Sequence, residues 1–570
     1  MSQKLYLLDY GAGNVQSLAN SLTKLGHTFT WINSPEDFNQ ATSLIFPGVG
    51  AFETAVQNLE SKGLLGPLKQ YIQSGKPYFG ICIGMQVLFQ SSTESPSPGL
   101  DIIHSPITRF NDENKTVPHM GWNAADPLPV EGDSLGDQTD PAYYYFVHSY
   151  CAKYDPKTYP SAAEWTFTTT QYGDEIFISS VRKENVFGTQ FHPEKSGKAG
   201  LALLDRWLRT PESERASATR ASTPPVLTPK SKHSLTKRII ACMDVRTNDE
   251  GDLVVTKGDQ YDVREKAPSS SPSSSVKATT GGAVRNLGKP VALASTYYNS
   301  GADELCLLNI TSFRHSPLQD QPMLAVVRAA AETVFVPLTI GGGIKDTVDP
   351  DGTPRSALEV ASAYFRAGAD KVSLASEAVY AVERLLASGK EKGDGTSAIE
   401  TIAHAYGRQA VVVSIDPKRV YVDPETYDGP FKNELVYGRP NSAIEAERGK
   451  AWWYTCTTSG GRQTRNLSVC QLARGVEMLG AGEILVNSID RDGTGLGFDS
   501  DLINLVKGCT KVPVVASSGA GKAEHFLTVF EGTDVEAALA AGIFHRGEVG
   551  IGQVKECLKS NGIAVRMNVA

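Results

Sequence analysis

The C-terminal half of this 570-residue chain repeats itself, and the repeat constrains the fold more than any single motif does. Gly301-Ala-Asp-Glu304-Leu-Cys-Leu-Leu-Asn309-Ile resembles Gly480-Ala-Gly-Glu483-Ile-Leu-Val-Asn-Ser-Ile489, with a glutamate entering an apolar run both times. Ile239-Ile-Ala-Cys-Met-Asp244 pairs with Val411-Val-Val-Ser-Ile-Asp416, and Val336-Pro-Leu-Thr-Ile-Gly-Gly-Gly343 with Val512-Pro-Val-Val-Ala-Ser-Ser-Gly519. A weaker fourth pair is Ala369-Asp-Lys-Val-Ser-Leu-Ala375 with Val535-Glu-Ala-Ala-Leu-Ala-Ala541. The order is kept at an offset of roughly 170 to 180 residues, which predicts eight short apolar strands in two half-repeats. Continuous apolar strands with helical stretches between them, such as Ser356 to Ala367, mark a parallel sheet buried on both faces. A (β/α)8 TIM barrel is the economical closure. Two separate doubly wound sheets compete with it, because element order alone does not separate the two. An insertion, Arg419 to Arg465, interrupts the second half after strand five, and its Trp452-Trp453-Tyr454 cluster reads as a local core.

In a barrel, residues ending the strands face the C-terminal mouth, where catalysis occurs. Asp244 and Asp416 end strands one and five, which lie opposite each other, so the repeat predicts two carboxylates across one substrate, a pair suited to acid and base work. A lone strand-end aspartate would read as a loop cap; the symmetric pair favours catalysis. The ends of strands three and seven, Gly341-Gly342-Gly343 and Ser518-Gly519-Ala520-Gly521, offer free backbone N–H groups ahead of a helix, which suits phosphate. Ser376 and Ala541-Gly542 add to them from strands four and eight. One glycine-rich turn is usually only a turn; two related by the repeat imply a substrate with a phosphate at each end.

The N-terminal part carries different chemistry. In Gly80-Ile-Cys82-Ile83-Gly84-Met-Gln86, a strand-like Tyr78-Phe79 precedes the cysteine and a helix over Met85 to Phe89 is expected after it, placing Cys82 on a nucleophile elbow. A thiolate there gains from the helix N-terminus, and the following backbone N–H groups, Ile83 first, can hold an oxyanion. Phe191-His192-Pro193-Glu194 would supply the base and the group that orients it. Pro47-Gly48-Val49-Gly50, after apolar Leu44-Ile-Phe46, completes three elements in order. The pattern resembles class I glutamine amidotransferases. That resemblance implies a second oxyanion donor from Gly48, Val49 and Gly50, and glutamine held near Gln86 and the His148-Ser149-Tyr150 strand. The other seven cysteines read as small buried hydrophobes.

Size and composition bound the rest. Length allows three or four units, and two are preferred if one is a large barrel. A hydrophobic content of 41% supports sizeable cores, and a net charge of -8 suggests no nucleic-acid partner. Eight irregularly spaced cysteines without a CxxC pair argue against a disulfide framework and a zinc site and fit a reducing compartment. Lys4-Leu-Tyr-Leu-Leu-Asp9 reads as a first strand rather than a targeting peptide, and no apolar run approaches the roughly 20 residues that span a bilayer. A soluble cytoplasmic enzyme follows as the expectation. Residues 1–210 alternate strand-like runs (Leu5 to Leu8, Leu44 to Phe46, Tyr143 to Val147, Val186 to Gln190) with helical ones, as a three-layer α/β domain would; 211–235 is a Pro/Ser/Thr-rich linker without periodicity; 236–570 is the barrel. Ala267-Pro-Ser-Ser-Ser-Pro-Ser-Ser-Ser275 is a low-complexity loop within the barrel half.

Taken together, Arg238-Ile-Ile-Ala-Cys-Met-Asp244, Asp252-Leu-Val-Val-Thr-Lys257-Gly-Asp, Asp416-Pro-Lys, Ser488-Ile-Asp490-Arg-Asp492-Gly and Phe544-His-Arg-Gly resemble the cyclase of the imidazole glycerol phosphate synthase family, and residues 1 to about 208 its glutaminase. The resemblance covers nearly the whole chain, in the fused order of the eukaryotic enzyme of histidine biosynthesis. It implies the partners glutamine and phosphoribulosyl-formimino aminoimidazole carboxamide ribonucleotide, whose two phosphates match the repeat, and no cofactor or metal. It also implies ammonia transit through the barrel past a charged gate of Arg238, Glu304, Lys371 and Glu483, with substrate contacts from Lys257 and Asp492; a salt-bridged plug that only stabilises the floor is the alternative for the gate. Asp370 beside it would face the docked glutaminase, and the serine-rich loop would act as a lid. Ala375 departs from the Asn or Gly that many members carry beside the phosphate-binding hydroxyl. A glutamine-dependent pyridoxal phosphate synthase would need a Schiff-base lysine where the two aspartates stand. A silent metabolite-binding scaffold would not need the intact Cys82, His192, Glu194, Asp244 and Asp416 set. No GxxxxGK[ST] motif points to ATP.

Overall fold

The computed structural model describes residues 4–11, 13–48, 50–128, 142–216, 224–231, 235–247, 253–256, 288–310, 322–442 and 445–567. The N-terminal sheet has eight strands. Thr30–Ile32, Leu5–Leu8, Ser43–Phe46, Tyr78–Ile81 and Val186–Thr189 run parallel in that order, and Glu175–Lys183, Thr166–Tyr172 and Asp126–Pro127 continue it antiparallel. Four of the five parallel strands are buried along their whole length, because helices cover both faces. Helix Phe52–Ser61 shows why: Phe52, Ala55, Val56 and Leu59 recur at helical spacing and form its buried stripe. Tyr78–Ile81 and Val186–Thr189 are neighbours in register, Ile81 opposite Thr189. Their carboxyl ends therefore deliver Cys82 and the 190–194 segment to one place.

Tyr143–His148 departs from the expected place in this sheet. Among the described residues it pairs with His119–Ala124, as a two-stranded antiparallel ribbon. Alternation gives the ribbon two faces. Met120, Trp122 and Tyr145 join the barrel's hydrophobic core. Phe146, on the other face, packs with Phe110, Tyr172, Phe177 and Phe191 inside the N-terminal unit.

The second sheet closes on itself. Arg238–Thr247, Glu304–Asn309, Leu338–Gly341, Lys371–Leu374, Val411–Ile415, Glu483–Asn487, Val514–Ser517 and Ala537–Ala540 are all parallel, and the last returns to the first through Arg238 opposite Ala537. Ile240, Cys242, Cys306, Val412, Leu485, Val515, Ala537 and Leu539 fill the interior. Helices between the strands begin where capping boxes allow: Ser356 with Glu359, Ser397 with Glu400, and Ser468 with Gln471. Strand one runs past the expected end at Asp244 to Thr247, because Asp244–Thr247 pairs with Leu253–Thr256 in a hairpin.

The 419–465 insertion is an antiparallel sheet, with Ala451–Thr458 paired to Pro417–Val422, Val436–Tyr437 and Gln463–Ser468. Trp452 and Tyr454 are fully buried, as a local core requires. Arg419 stacks over Trp452 at 4.4 Å and reaches Glu447 at 2.6 Å and Asp499 at 2.8 Å, which anchors the insertion to the segment after strand six. The segment expected to lack periodicity starts with a short helix, Glu212–Ala216; three residues in its first four are charged, and such polar turns form at a chain exit without an apolar stripe. Farther along, Pro225 accepts from the Tyr154 hydroxyl at 2.7 Å. The serine-rich 267–275 stretch lies outside the described residues. No helix among the described residues is long and apolar enough to cross a membrane.

Candidate active sites and the path between them

Cys82 occupies the elbow with φ 50° and ψ -103°, a backbone state that L residues rarely adopt, held by its N–H donating to Thr189 at 2.6 Å. The helix behind it is shorter than expected: it spans only Ile83–Gln86, and Phe89 opens a strand, so the backbone N–H groups of the turn, rather than a long helix dipole, are what the elbow offers an oxyanion. Gly48 and Gly84 are required by contact. A Cβ on Gly48 would collide with the Ile81 carbonyl and the Ile83 nitrogen, and one on Gly84 with the Phe46 carbonyl. Gly50, with φ 136°, lies against the barrel side, its carbonyl 3.5 Å from Gln409 Nε2. Val49 lies outside the described residues.

His192 Nδ1 is 2.8 Å from Glu194 Oε1, and both are buried. Burial opposes charge on His192, but the Glu194 carboxylate and Cys82 outweigh it and hold the imidazole pKa well above its ordinary 6.5. A cysteine beside an imidazole that a carboxylate orients is the arrangement nucleophilic catalysis by a thiol requires. Around it, Gln86 Nε2 donates to the Tyr150 carbonyl at 3.1 Å and to Gln190 Oε1 at 3.0 Å, and Gln190 Nε2 donates to Cys82 Sγ at 3.5 Å. The Ser149 hydroxyl is buried with no partner among the described residues, so a polar ligand here would satisfy it.

This unit sits on the floor of the barrel. Several residues that meet it precede barrel strands: Trp122 Nε1 donates to the Asp303 carbonyl at 3.1 Å, Gly197 N to Phe335 at 2.9 Å, and Val117 N to Lys511 at 2.9 Å. Asp370 does face the N-terminal unit, accepting from Asn14 Nδ2 at 2.8 Å and pairing with Lys195 at 2.7 Å. Immediately inside, Arg238, Glu304, Lys371 and Glu483 head strands one, two, four and six and form a closed ring. Arg238 bonds Glu304 at 2.8 Å and also Glu483, while Lys371 lies 2.6 Å from each carboxylate. All four are at most 2% exposed. Burial alone would raise the Glu483 pKa, but Arg238 and Lys371 hold it below its ordinary value. Lys371 Nζ also donates to Met120 Sδ at 3.6 Å, so the ribbon touches the ring itself.

At the other end, the mouth gathers the two aspartates and the glycine-rich turns. Asp416 follows strand five, and Asn487 Nδ2 donates to it at 3.0 Å. Burial pushes its pKa up to about 6, Asn487 moderates the rise, and Asp492 adds to it. Asp244 stands on strand one, diametrically opposed in strand order. Gly342 (φ 88°) and Gly343 (φ 78°) turn after strand three; Ser518 (φ 73°) and Gly519 (φ 93°) turn after strand seven. Ser518 Oγ donates to Asn487 Oδ1 at 2.5 Å, which links that turn to Asp416. Gly521 N is taken by His525 Nδ1 at 3.0 Å, whereas the Ser376 hydroxyl accepts from Ser459 N at 3.0 Å, a bond that does not use its O–H donor. Ala541 is the N-cap of the short helix Gly542–His545, which Gly542 opens. Lys257 lies outside the described residues.

Residues 6–209 match the model of glutamine amidotransferase class-I, and residues 238–550 that of histidine biosynthesis protein. The imidazole glycerol phosphate synthase hisHF of Emericella nidulans is 52% identical over 570 residues, covering 99% of this chain and 98% of the relative. That of Schizosaccharomyces pombe is 48% identical over 98% of this chain and 99% of its own length. The chain belongs to the hisHF imidazole glycerol phosphate synthase family. A separate HisF subunit, from Haloarcula marismortui, is 37% identical over 59% of this chain and 100% of its own, matching one part of the fusion.

Within this hisHF framework, several residues that the motif reading passed over lie at the junctions. Gln190, two residues before His192, contacts the sulfur directly. Tyr145 receives the His192 N–H on its carbonyl at 2.9 Å, and its hydroxyl is buried without a hydrogen-bond partner among the described residues. Burial first, then Glu304, Glu483 and Asp370, raise its pKa well above 10, which places that hydroxyl in the field of the ring. Lys195 follows the His-Pro-Glu triplet, but a lysine carries no sequence signal for a docking partner 175 residues away.

The ring also predicts a stability effect. Arg238→Met leaves Lys371 as the cation facing both buried carboxylates, Glu304 and Glu483, and breaking a buried pair on one side costs about 3–5 kcal/mol. Urea unfolding of the variant should show a loss of that size; a loss under about 1 kcal/mol, as for an exposed pair, would contradict the ring as described.

Proposed function

We propose that this chain hydrolyses glutamine at Cys82 and delivers the ammonia through the barrel to a bisphosphorylated ribonucleotide held at the mouth, giving imidazole glycerol phosphate and aminoimidazole carboxamide ribonucleotide. The observation that carries this reading is the stacking of a Cys82–His192–Glu194 site and an Asp244–Asp416 mouth on opposite ends of one barrel, with a charged ring between them. Cys82 attacks the carboxamide carbon, His192 gives its proton to the departing nitrogen, and water then cleaves the thioester. Gly48, Val49, Gly50 and Ile83 serve the oxyanion, while Gln86, Ser149 and Tyr150 frame the glutamine. Ammonia passes Tyr145 and the Arg238, Glu304, Lys371 and Glu483 gate; confinement keeps it from protonation in bulk water over a strand length of roughly 17–20 Å.

At the mouth, Gly342, Gly343 and Ser376 take one phosphate and Ser518, Gly519, Gly521, Ala541 and Gly542 the other, with Lys257 and Asp492 nearer the reacting centre. Asp416, pushed up to about 6, can hold and release a proton near neutral pH, which suits general acid–base work. The chain divides into glutaminase 1–210, linker 211–235 and cyclase 236–570, working within one chain. A cytoplasmic setting fits its eight free cysteines, although an Arabidopsis thaliana relative, 49% identical, is chloroplastic.

Glutamine hydrolysis by the purified chain, with and without the ribonucleotide, tests the reading. Stimulated hydrolysis matched by imidazole glycerol phosphate is expected; hydrolysis with no cyclised product would assign the barrel another acceptor.

A further inference from the structure

Two buried histidines play no part in the triad or the gate, yet they sit on the ribbon whose other face touches the gate. His119 and His148 sit opposite each other in the ribbon, 0% and 3% exposed, with His119 stacked on Tyr172 at 4.3 Å and ringed by Phe110, Phe146 and Phe177. His148 Nδ1 is 2.8 Å from the Tyr150 carbonyl, which can only accept, so Nδ1 carries the hydrogen. In a neutral ring Nε2 is then an acceptor, and it faces His119 Nδ1 at 3.1 Å. His119 Nδ1 must therefore donate, and its Nε2 accepts from Asn123 Nδ2 at 3.2 Å. Asn123 cannot flip, because its other amide hydrogen goes to the Gln171 carbonyl at 3.1 Å and its Oδ1 takes the Ala124 N–H at 2.9 Å. Every donor points the same way, from Asn123 to the Tyr150 carbonyl. That carbonyl also receives Gln86, and Gln86 bonds Gln190, which contacts Cys82.

The ribbon's other face carries Met120 on the gate lysine, Trp122 on Asp303, and Tyr145. We propose that His119 and His148 are positioning residues whose one-directional hydrogen-bond relay ties the gate-facing ribbon to the Tyr150 carbonyl, and so couples the state of the barrel to the geometry around Cys82. The relay needs both rings neutral, since a second ring hydrogen on His148 would meet the His119 donor. Burial, opposed by the Tyr150 carbonyl and assisted by His192, lowers the His148 pKa to about 3 and keeps it neutral. A ribbon displaced by ligand at the mouth then moves the carbonyl that orients Gln86 and Gln190, and by linkage glutamine at Cys82 biases the barrel in return.

The inference rests on the function proposed above, and the experiment separates the two. Glutamine hydrolysis is measured with and without the bisphosphorylated ribonucleotide in the full-length parent, His119→Phe and His148→Phe, together with ammonia-dependent cyclisation. Nitrogen-15 NMR of the parent reads which ring nitrogen of each histidine carries hydrogen. Loss of the relay should reduce the stimulated-to-unstimulated ratio about tenfold while ammonia-dependent cyclisation stays within about twofold. NMR should show both rings neutral with hydrogen on Nδ1. A ratio retained within about twofold, or an equal fall of both hydrolysis rates, would overturn the inference, because a merely structural role does not move the ratio. Hydrogen on Nε2 of His148 would overturn it even if neither variant folds. A parent that hydrolyses glutamine without stimulation would instead fault the proposed coupling of sites, while the NMR result still decides the relay.

Discussion

Replacing Cys82 with alanine should abolish glutamine-dependent synthesis and leave synthesis from added ammonia intact. The thiol is the group that would form a covalent bond to the substrate, and its loss leaves His192 and the elbow N–H groups without a nucleophile, so glutamine-dependent product should fall by about 10³-fold or more. The barrel mouth should be untouched. Cys82 sits on the strand Tyr78–Ile81 side of the molecule, while the mouth lies beyond the Arg238–Glu483 ring at the far end of the barrel strands. Alanine is smaller than cysteine and keeps the same space, although the φ of 50° remains as strained as before. The comparison is made with saturating ammonium at alkaline pH, where free ammonia can enter the mouth from solvent. Loss of both activities would mean that the two sites are not separate.

Asp416→Asn should remove cyclisation with either nitrogen source, by about 10²–10⁴-fold, the usual contribution of a positioned acid or base. Glutamine hydrolysis without acceptor should continue, because Asp416 is a strand length away from the triad. The same substitution makes a stability prediction of opposite sign. A carboxyl whose folded pKa of about 6 exceeds its ordinary 3.8 stabilises the fold while protonated, and that contribution is complete below 3.8 and lost as pH rises through about 6. Near pH 7 the ionised group therefore costs about 3 kcal/mol of stability, and asparagine removes that cost. Asp416→Asn should be more stable to urea than the parent near pH 7, with the advantage vanishing toward about pH 4. Near-normal product formation would remove Asp416 from the catalytic assignment, and an advantage independent of pH would contradict its raised pKa.

The barrel was legible because its parallel strands are buried on both faces, so Val411–Ile415 and Val514–Ser517 are largely apolar and lie in segments that recur in the repeat. Arg238, Glu304, Lys371 and Glu483 were visible as charges at the heads of such runs, but their reading as a gate came from the family resemblance alone. Local alternation, by contrast, does not reveal which sheet a strand joins. Tyr143–His148 looks like any β-strand, and only its partner His119–Ala124 makes it the ribbon between glutaminase and barrel. The elbow helix was read too long because Met85 to Phe89 is apolar enough for either state; Phe89 pairs with Ile103 and tertiary pairing decides it. Asp244 was placed at a strand end because the repeat aligns it with Asp416, but the hairpin with Leu253–Thr256 prolongs strand one alone. Gln190, Tyr145 and the two ribbon histidines gain their meaning from neighbours far away in sequence, and no spacing rule reaches that far.

In the proposed reaction nitrogen travels inside the molecule from Cys82 to the mouth. The decisive measurement supplies amide-labelled nitrogen-15 glutamine with unlabelled ammonium near pH 7, where almost all of it is protonated and ammonium alone gives no appreciable product, and then weighs the label in imidazole glycerol phosphate. A closed route predicts product nitrogen drawn from glutamine even when the unlabelled ammonium is in excess. Label diluted in proportion to the ammonium pool would show that ammonia escapes to solvent between the sites, and the passage through the Arg238, Glu304, Lys371 and Glu483 ring would be refuted.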